Sequence, residues 1–179
     1  MFKKIAFSAL CAAVAFTSIG AAYAKDLKVA SNTTFPPFEF VNSKTNEITG
    51  FEMDLIKAMG KQAGYNVIIQ NMGFDGIIPG ILAGTVDVGA SGISITAERQ
   101  KKVLFTDPFY ESGLTILVNK NDADKIHGFA DLKGKKIAVQ IGTTAAAKAK
   151  EIPGATVVTF NYAGEATLEL SNGGADAVL

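Results

Sequence analysis

Val86-Asp87-Val88-Gly89-Ala90-Ser91-Gly92-Ile93-Ser94-Ile95-Thr96-Ala97-Glu98-Arg99 is the stretch on which the reading of this chain turns. Val86 to Ala90 has the apolar density of a buried strand, and Ser91-Gly92 breaks it. Thr96 then sits where a helix N-cap belongs, with Ala97, Glu98 and Arg99 in the first turn. Arg99 is the single arginine among 17 basic residues. A cation in a first turn opposes the helix macrodipole, and a lysine would serve equally on a solvated surface. A lone arginine beside free backbone N–H groups therefore points to a forked clamp for a carboxylate or phosphate. The alternative is an exposed arginine paired with Glu98 or Asp107. The segment by itself leaves both open.

On either side of this stretch, short apolar runs alternate with helical patterns. Strands are expected at Leu27–Ala30, Val67–Gln70 and Val86–Ala90. Helices are expected at Glu52–Ala63, ended by Gly64, and at about Gly76–Ala83, with Pro79 early and Gly84 at its end. Such alternation implies βαβ units and a largely parallel sheet. Phe105 to Tyr110 interrupts it. A second set follows: strands at Leu114–Val118, Ile137–Gln140, Val157–Phe160 and Ala175–Leu179, and helices at Thr143–Lys150 and Glu165–Leu170, with a polar turn at Asn119–Lys125. The fold expected is α/β with two lobes, residues 25–108 and 114–179, joined by a crossover at 109–113.

A short internal echo supports this division. Gly84-Thr85-Val86-Asp87-Val88 is matched by Gly173-Gly174-Ala175-Asp176-Ala177, each a helix stopped by glycine and followed by a strand carrying an aspartate. In the first copy the next residues are Ser91, Gly92 and Ser94. In the second the sequence stops at Leu179, so the natural protein is expected to continue.

Residues 1–24 read as a secretory signal peptide: Lys3 and Lys4, an apolar run from Ile5 to Ile19, and Ala22-Tyr23-Ala24 as a cleavage site. A transmembrane anchor would need a longer apolar run. Cys11, the sole cysteine, lies inside this segment, and leucine directly before it argues against a lipid-attachment box. Cleavage after Ala24 leaves 155 residues with 15 basic and 17 acidic side chains and no cysteine. That excludes disulfides and thiol chemistry, and the net charge of −2 argues against nucleic acid or an anionic membrane surface as partner. The expected product is an exported, periplasmic chain.

The strand ends are where an open α/β sheet holds ligands. Asn32 to Phe38, Ser91 to Ser94 and Ile141 to Thr144 occupy such ends, and facing lobes would bring them to one cleft. In Phe35-Pro36-Pro37-Phe38-Glu39-Phe40, Phe38 and Phe40 alternate toward the core, whereas Phe35 can face the cleft. Phe51 opens the next helix, as either a hydrophobic staple or a second wall of an apolar slot. Gly142 permits close backbone approach, and Thr143 and Thr144 can cap a helix or present N–H groups to an anion. No phosphate-loop lysine follows. His127 is the only histidine and lies in a polar stretch, so a His-based metal site or Cys/His pair is not available. Glu52 and Asp54 fall on different helix faces, and Asp122 and Asp124 in a turn; neither reads as a glycosidase pair or calcium loop. Neither a cofactor nor a metal is expected.

Five ordered motifs closely resemble the periplasmic amino-acid-binding proteins of bacterial ABC importers, solute-binding protein family 3: Phe35-Pro36-Pro37-Phe38-Glu39-Phe40, Gly50-Phe51-Glu52-Met53-Asp54-Leu55, Phe74-Asp75-Gly76-Ile77-Ile78-Pro79, Gly92-Ile93-Ser94-Ile95-Thr96-Ala97-Glu98-Arg99 and Gly142-Thr143-Thr144. The resemblance covers Lys25 to Leu179. It implies a type II two-lobed clamshell, with the second lobe incomplete in residues 1–179. It further implies a monomer that delivers a polar L-amino acid to an inner-membrane ABC permease, without catalysis. In that family pattern Arg99 grips the ligand α-carboxylate and Thr144 assists from the other lobe, while Ser94 is shared between carboxylate and ammonium. Gly92 offers a carbonyl to the ammonium, Phe35 and Phe51 flank the ligand side chain, and Asn32, Ser91 and Gln140 tune side-chain preference. The family's ammonium-binding aspartate would fall just past Leu179, so residues 1–179 alone are expected to bind poorly. Asn32 stands where several relatives carry aspartate, which favours a neutral polar ligand over a cationic one. Two rivals follow from the same resemblance: a periplasmic cyclohexadienyl or arogenate dehydratase, which needs an acid in the cleft, and the sensing domain of a larger receptor.

Overall fold

The structure, a computed structural model, describes residues 24–179; the signal-peptide reading lies outside them. Two three-stranded parallel sheets form the frame. In the first, β1 (Lys25–Ser31) lies between β5 (Tyr65–Asn71) and β6 (Val88–Gly89). In the second, β7 (Lys136–Gln140) lies between β8 (Thr156–Phe160) and β9 (Ala177–Val178). Strand order and direction are the same in both, so the echo in the sequence is an echo of topology. Between β1 and β5 runs a small antiparallel sheet of β2 (Thr34–Phe35), β3 (Glu39–Val41) and β4 (Ile48–Thr49).

The echo also has a chemical basis. The Asp87 carboxylate accepts the Lys28 N–H at 2.9 Å, and Asp176 accepts the Lys136 N–H at 2.7 Å. In return the Asp87 and Asp176 N–H groups donate to the carbonyls of Lys28 and Lys136, at 2.9 and 2.8 Å. Each aspartate thus latches the third strand to the start of the central one and fixes the register Val29–Val88 or Ile137–Ala177. The side chain replaces a ladder bond that the short strand cannot make.

Each sheet is covered on both faces, which explains why its central strand is apolar at successive positions. Val29 packs with Met53 of α1 (Phe51–Gln62), Leu27, Ile56 and Val67, while Ala30 faces Ile77 and Ile81 of α2 (Ile77–Leu82) and Val86. Ile137 and Val139 pack with Ala146 and Ala149 of α4 (Thr144–Lys150), whereas Ala138 faces Ala166 and Leu170 of α5 (Ala163–Ser171). Here α3 is Ala97–Gln100.

Several expectations change. The strands expected at Val86–Ala90 and Ala175–Leu179 shorten to Val88–Gly89 and Ala177–Val178, so Asp87 and Asp176 stand just before them. Leu114–Val118 is not a strand. Leu117 alone pairs, by one antiparallel bridge to Val178, because β9 presents two residues and its other edge is taken by β7. The 76–83 helix begins as a 3-10 turn at Phe74–Gly76 and becomes α2 from Ile77. In Phe38-Glu39-Phe40 it is Glu39, 1% exposed, that is buried, and the two phenylalanines are half-buried. The Ser91 hydroxyl supplies a polar partner on that side, so the carboxyl goes inward.

Candidate functional site

The site is built around the start of α1. Gly50 has φ +128°, and no side chain caps the helix. The Phe51 and Glu52 N–H groups donate to the Pro37 and Phe38 carbonyls, each at 3.0 Å. A Cβ at position 50 would fall on the Phe38 carbonyl, so glycine alone allows this union. Two orphan helix donors are satisfied by the Phe35–Phe40 turn. The turn and the helix are thereby locked together, and three groups converge.

The first group is aromatic. Phe38 stacks on Phe35 at 5.9 Å and meets Phe51 edge-on at 6.0 Å and Tyr110 at 4.9 Å. Phe109 lies 6.1 Å from Phe51. Phe35 and Phe51 stay 50% and 48% exposed. The two are linked through Phe38.

The second group surrounds Asn32, which is 2% exposed. Its N–H donates to Ser91 Oγ at 2.9 Å, and its amide nitrogen donates to the Met72 carbonyl at 3.1 Å. Its Oδ1 accepts from Thr34 Oγ1 at 2.7 Å and from Gln140 Nε2 at 3.1 Å. Gln140 belongs to the second sheet, so this bond crosses between the lobes.

The third group is Arg99. Thr96 caps α3, its Oγ1 accepting the Arg99 N–H at 3.2 Å. The guanidinium donates from Nη1 to the Ser94 carbonyl at 2.8 Å and from Nη2 to the Gly142 carbonyl at 3.0 Å. It also lies over the Phe74 ring at 5.5 Å. Burial pushes its pKa down, yet an arginine keeps its charge. Among the described residues it forms no salt bridge. Neither Glu98 nor Asp107 pairs with it, which removes the alternative left open by the sequence. Five donors less two leaves three for an external anion.

Gly142, with φ +76°, brings the second lobe against the first: a Cβ there would lie 2.8 Å from Asp75 Cβ and 3.1 Å from Asp75 Cα. Thr143 caps α4, its Oγ1 accepting the Ala146 N–H at 3.1 Å and donating to the Gln140 carbonyl at 2.7 Å. Thr144 is the first residue of α4. Asn32, Ser91 and Gln140 are joined by hydrogen bonds, as are Arg99, Ser94 and Gly142.

Sequence reasoning missed a fourth feature beneath them. Glu39 and Glu52, 1% and 5% exposed, form a carboxyl pair. Glu52 Oε2 accepts the Gly92 N–H at 2.7 Å, and Ser91 Oγ donates to Glu39 Oε1 at 3.4 Å. Burial first, then the neighbouring carboxylate, pushes Glu39 up to about 8. Burial also pushes Glu52 up, opposed by the backbone N–H groups of Gly92 and Ser91. The two residues lie in separate motifs, and the signal available was an acidic residue inside each of two otherwise apolar stretches.

Among the described residues no group of three or more His, Cys, Asp or Glu could hold a metal ion, and no helix is long and apolar enough to cross a membrane.

Comparison with known proteins matches residues 27–173 to the bacterial extracellular solute-binding proteins, family 3. An ABC transporter arginine-binding protein of Escherichia coli K12 is 37% identical over 98% of this chain and 70% of its own length. A probable histidine-binding protein of Campylobacter jejuni is 38% identical over 86% of this chain and 59% of its own. The crystal structure of an ancestral amino acid-binding protein, described as a precursor of cyclohexadienyl dehydratase, superposes with a TM-score of 0.81 at 44% identity, over 86% of this chain and 68% of that one.

Proposed function

This chain belongs to family 3 of the bacterial extracellular solute-binding proteins, and on that basis we propose that it captures a polar L-amino acid between its lobes and delivers it, outside the cytoplasm, to an ABC permease. The observation that carries the reading is Arg99: a half-buried cation with no carboxylate partner among the described residues, oriented by one backbone carbonyl from each lobe and by the Phe74 ring. Such a group is an anion clamp waiting for a bidentate carboxylate. Arg99 and Ser94 take the α-carboxylate, with Thr143 and Thr144 approaching from the start of α4. The Gly92 carbonyl takes the ammonium, Phe35 and Phe51 flank the side chain, and Asn32, Ser91 and Gln140 meet its polar end. The crossover is residues 109–113, between lobes 25–108 and 114–179.

The relatives are named for arginine and histidine. In this chain the polar end is lined by Asn32 and Gln140, both uncharged and bonded to each other. That favours a neutral polar side chain over a guanidinium, which would lack a facing carboxylate. Ligand contact with both lobes selects the closed form, and closure is the state a permease can recognise. A dehydratase would need an acid presented to the ligand. Glu39 holds a proton at neutral pH but is buried beneath Ser91 and Gly92, which supports binding without turnover.

The test is a thermal-shift screen of the twenty L-amino acids on the full-length exported protein, followed by calorimetry. A selective rise in Tm with glutamine-like ligands is expected. Prephenate or arogenate consumption, or no shift with any amino acid, would overturn the assignment.

A further inference from the structure

We propose that Glu39 and Glu52 are positioning residues: a buried acid–carboxylate pair that shares one proton and so holds the Ser91–Ser94 segment in the shape that receives the ligand. This deepens the solute-binding reading and rests on it.

Two hydrogen bonds set the roles of the two carboxyls. Glu52 Oε2 accepts the Gly92 N–H at 2.7 Å, so Glu52 carries the negative charge. Glu39 is then the acid: its Oε2, buried and without a hydrogen-bond partner, is the oxygen left to carry the proton shared with Glu52, while its Oε1 receives the Ser91 hydroxyl at 3.4 Å. Ser91 Oγ in turn accepts the Asn32 N–H at 2.9 Å. With the shared proton between the two carboxyls, hydrogen bonds run from Glu52 of α1 to Gly92 and from Glu39 of β3 through Ser91 to Asn32. Gly92 lies directly above, and a Cβ at that position would stand 3.6 Å from Glu39 Oε1.

Among the described residues no cation offsets the pair. Of the surrounding elements, α1 carries Asp54, Lys57 and Lys61, the β3–β4 hairpin Lys44 and Glu47, and β1 Lys25, Asp26 and Lys28. The segment from Ser91 to Arg99 carries Glu98 and Arg99, β5 carries Tyr65, and the crossover Tyr110 and Glu111. Lys57 bonds the Ile48 carbonyl and Arg99 the Ser94 and Gly142 carbonyls, and none of the others reaches either glutamate. Two buried carboxylates in contact cannot both ionise at neutral pH. Loss of the shared proton sets like charges against each other and releases Gly92 and Ser91. Amide replacement at Glu39 keeps a donor to Glu52 and removes the titration.

Two readouts on the exported protein test this. The first is carboxyl and amide NMR without ligand. One glutamate of the wild type should keep its proton to about pH 8, the Gly92 amide resonance should move with the same midpoint, and both transitions should vanish in Glu39→Gln. Glutamates that all titrate in the ordinary range, or a Gly92 resonance that ignores the transition, would overturn the pair. The second is calorimetry with the amino acid from the screen between pH 7 and pH 9, read as the ratio of wild type to Glu39→Gln. The ratio cancels the ligand's own ammonium titration. The wild type should lose up to about tenfold more affinity than the variant per pH unit above the midpoint, and a flat ratio would overturn the positioning role. Glu39→Ala, which lacks the donor, should bind weakly at every pH; should it fail to fold, Glu39→Gln still decides. Absence of binding by any amino acid would refute the proposed function, while the NMR arm would still settle whether the pair holds a proton and grips Gly92.

Discussion

Replacing Gly142 by alanine separates closure of the cleft from stability of the fold. The residue lies in the β7–α4 turn at φ +76°, and its Cβ would come within 2.8 Å of Asp75 Cβ and 3.1 Å of Asp75 Cα on the opposite lobe. Ordinary contact begins near 3.4 Å, so the lobes must part by about 0.6 Å. Arg99 Nη2 then moves beyond hydrogen-bond reach of the Gly142 carbonyl, from 3.0 Å. The Gln140–Asn32 bond, at 3.1 Å, is stretched with it. A hydrogen bond to a charged group is worth about 2 kcal/mol and a neutral one about 1 kcal/mol. Closure therefore loses about 3 kcal/mol, roughly a hundredfold in amino-acid affinity. The left-handed backbone strain, about 1–2 kcal/mol, falls on the folded state in both open and closed forms and lowers Tm independently of ligand. Calorimetry gives the first quantity and chemical denaturation without ligand the second. An unchanged Kd, or a loss of affinity no larger than the loss of stability, would refute the role of this contact in closing the cleft.

Four further outcomes follow from the same structure. Arg99→Lys keeps the charge but cannot hold the Ser94 and Gly142 carbonyls together with a bidentate carboxylate, and should lose about 2 kcal/mol of binding by calorimetry with little change in Tm. Asp87→Ala and Asp176→Ala remove equivalent latches and should each cost about 1–2 kcal/mol in urea unfolding; a large inequality between them would contradict the repeated topology. Met53→Ala empties a fully buried position between α1 and β1 and should cost about 2–5 kcal/mol by the same measurement. Glu39 holds its proton in the folded protein up to about 8 against an ordinary 4.5. The folded state therefore carries the extra proton across that interval. Its contribution is complete below about pH 4.5 and is lost as pH rises through about 8, at up to about 1.4 kcal/mol per pH unit. Urea midpoints between pH 5 and 8 should fall for the wild type and flatten in Glu39→Gln.

The features legible in the residues are those whose causes are local. Alternating apolar runs with glycine stops placed β1, α1, β5, β7, α4, β8 and α5, and an aspartate after each glycine-stopped helix marked the repeat. Thr96 and Thr143 were legible as caps because a cap is a matter of a few neighbouring residues. Arg99 stood out because one arginine among lysines is a chemical choice, and the family motifs around it gave it a role. Whatever depends on residues far apart in the chain emerged only in the folded molecule. There Arg99 takes a carbonyl from each lobe, Gln140 reaches Asn32, and Leu114–Val118 finds no ladder. The expected orientation of Phe38-Glu39-Phe40 is also reversed. Period-two alternation assigns a face to each residue but not which face is wetter. Here Glu39 turns toward Glu52 and the Ser91 hydroxyl, and burial, rather than residue type, made a carboxyl pair that holds a proton.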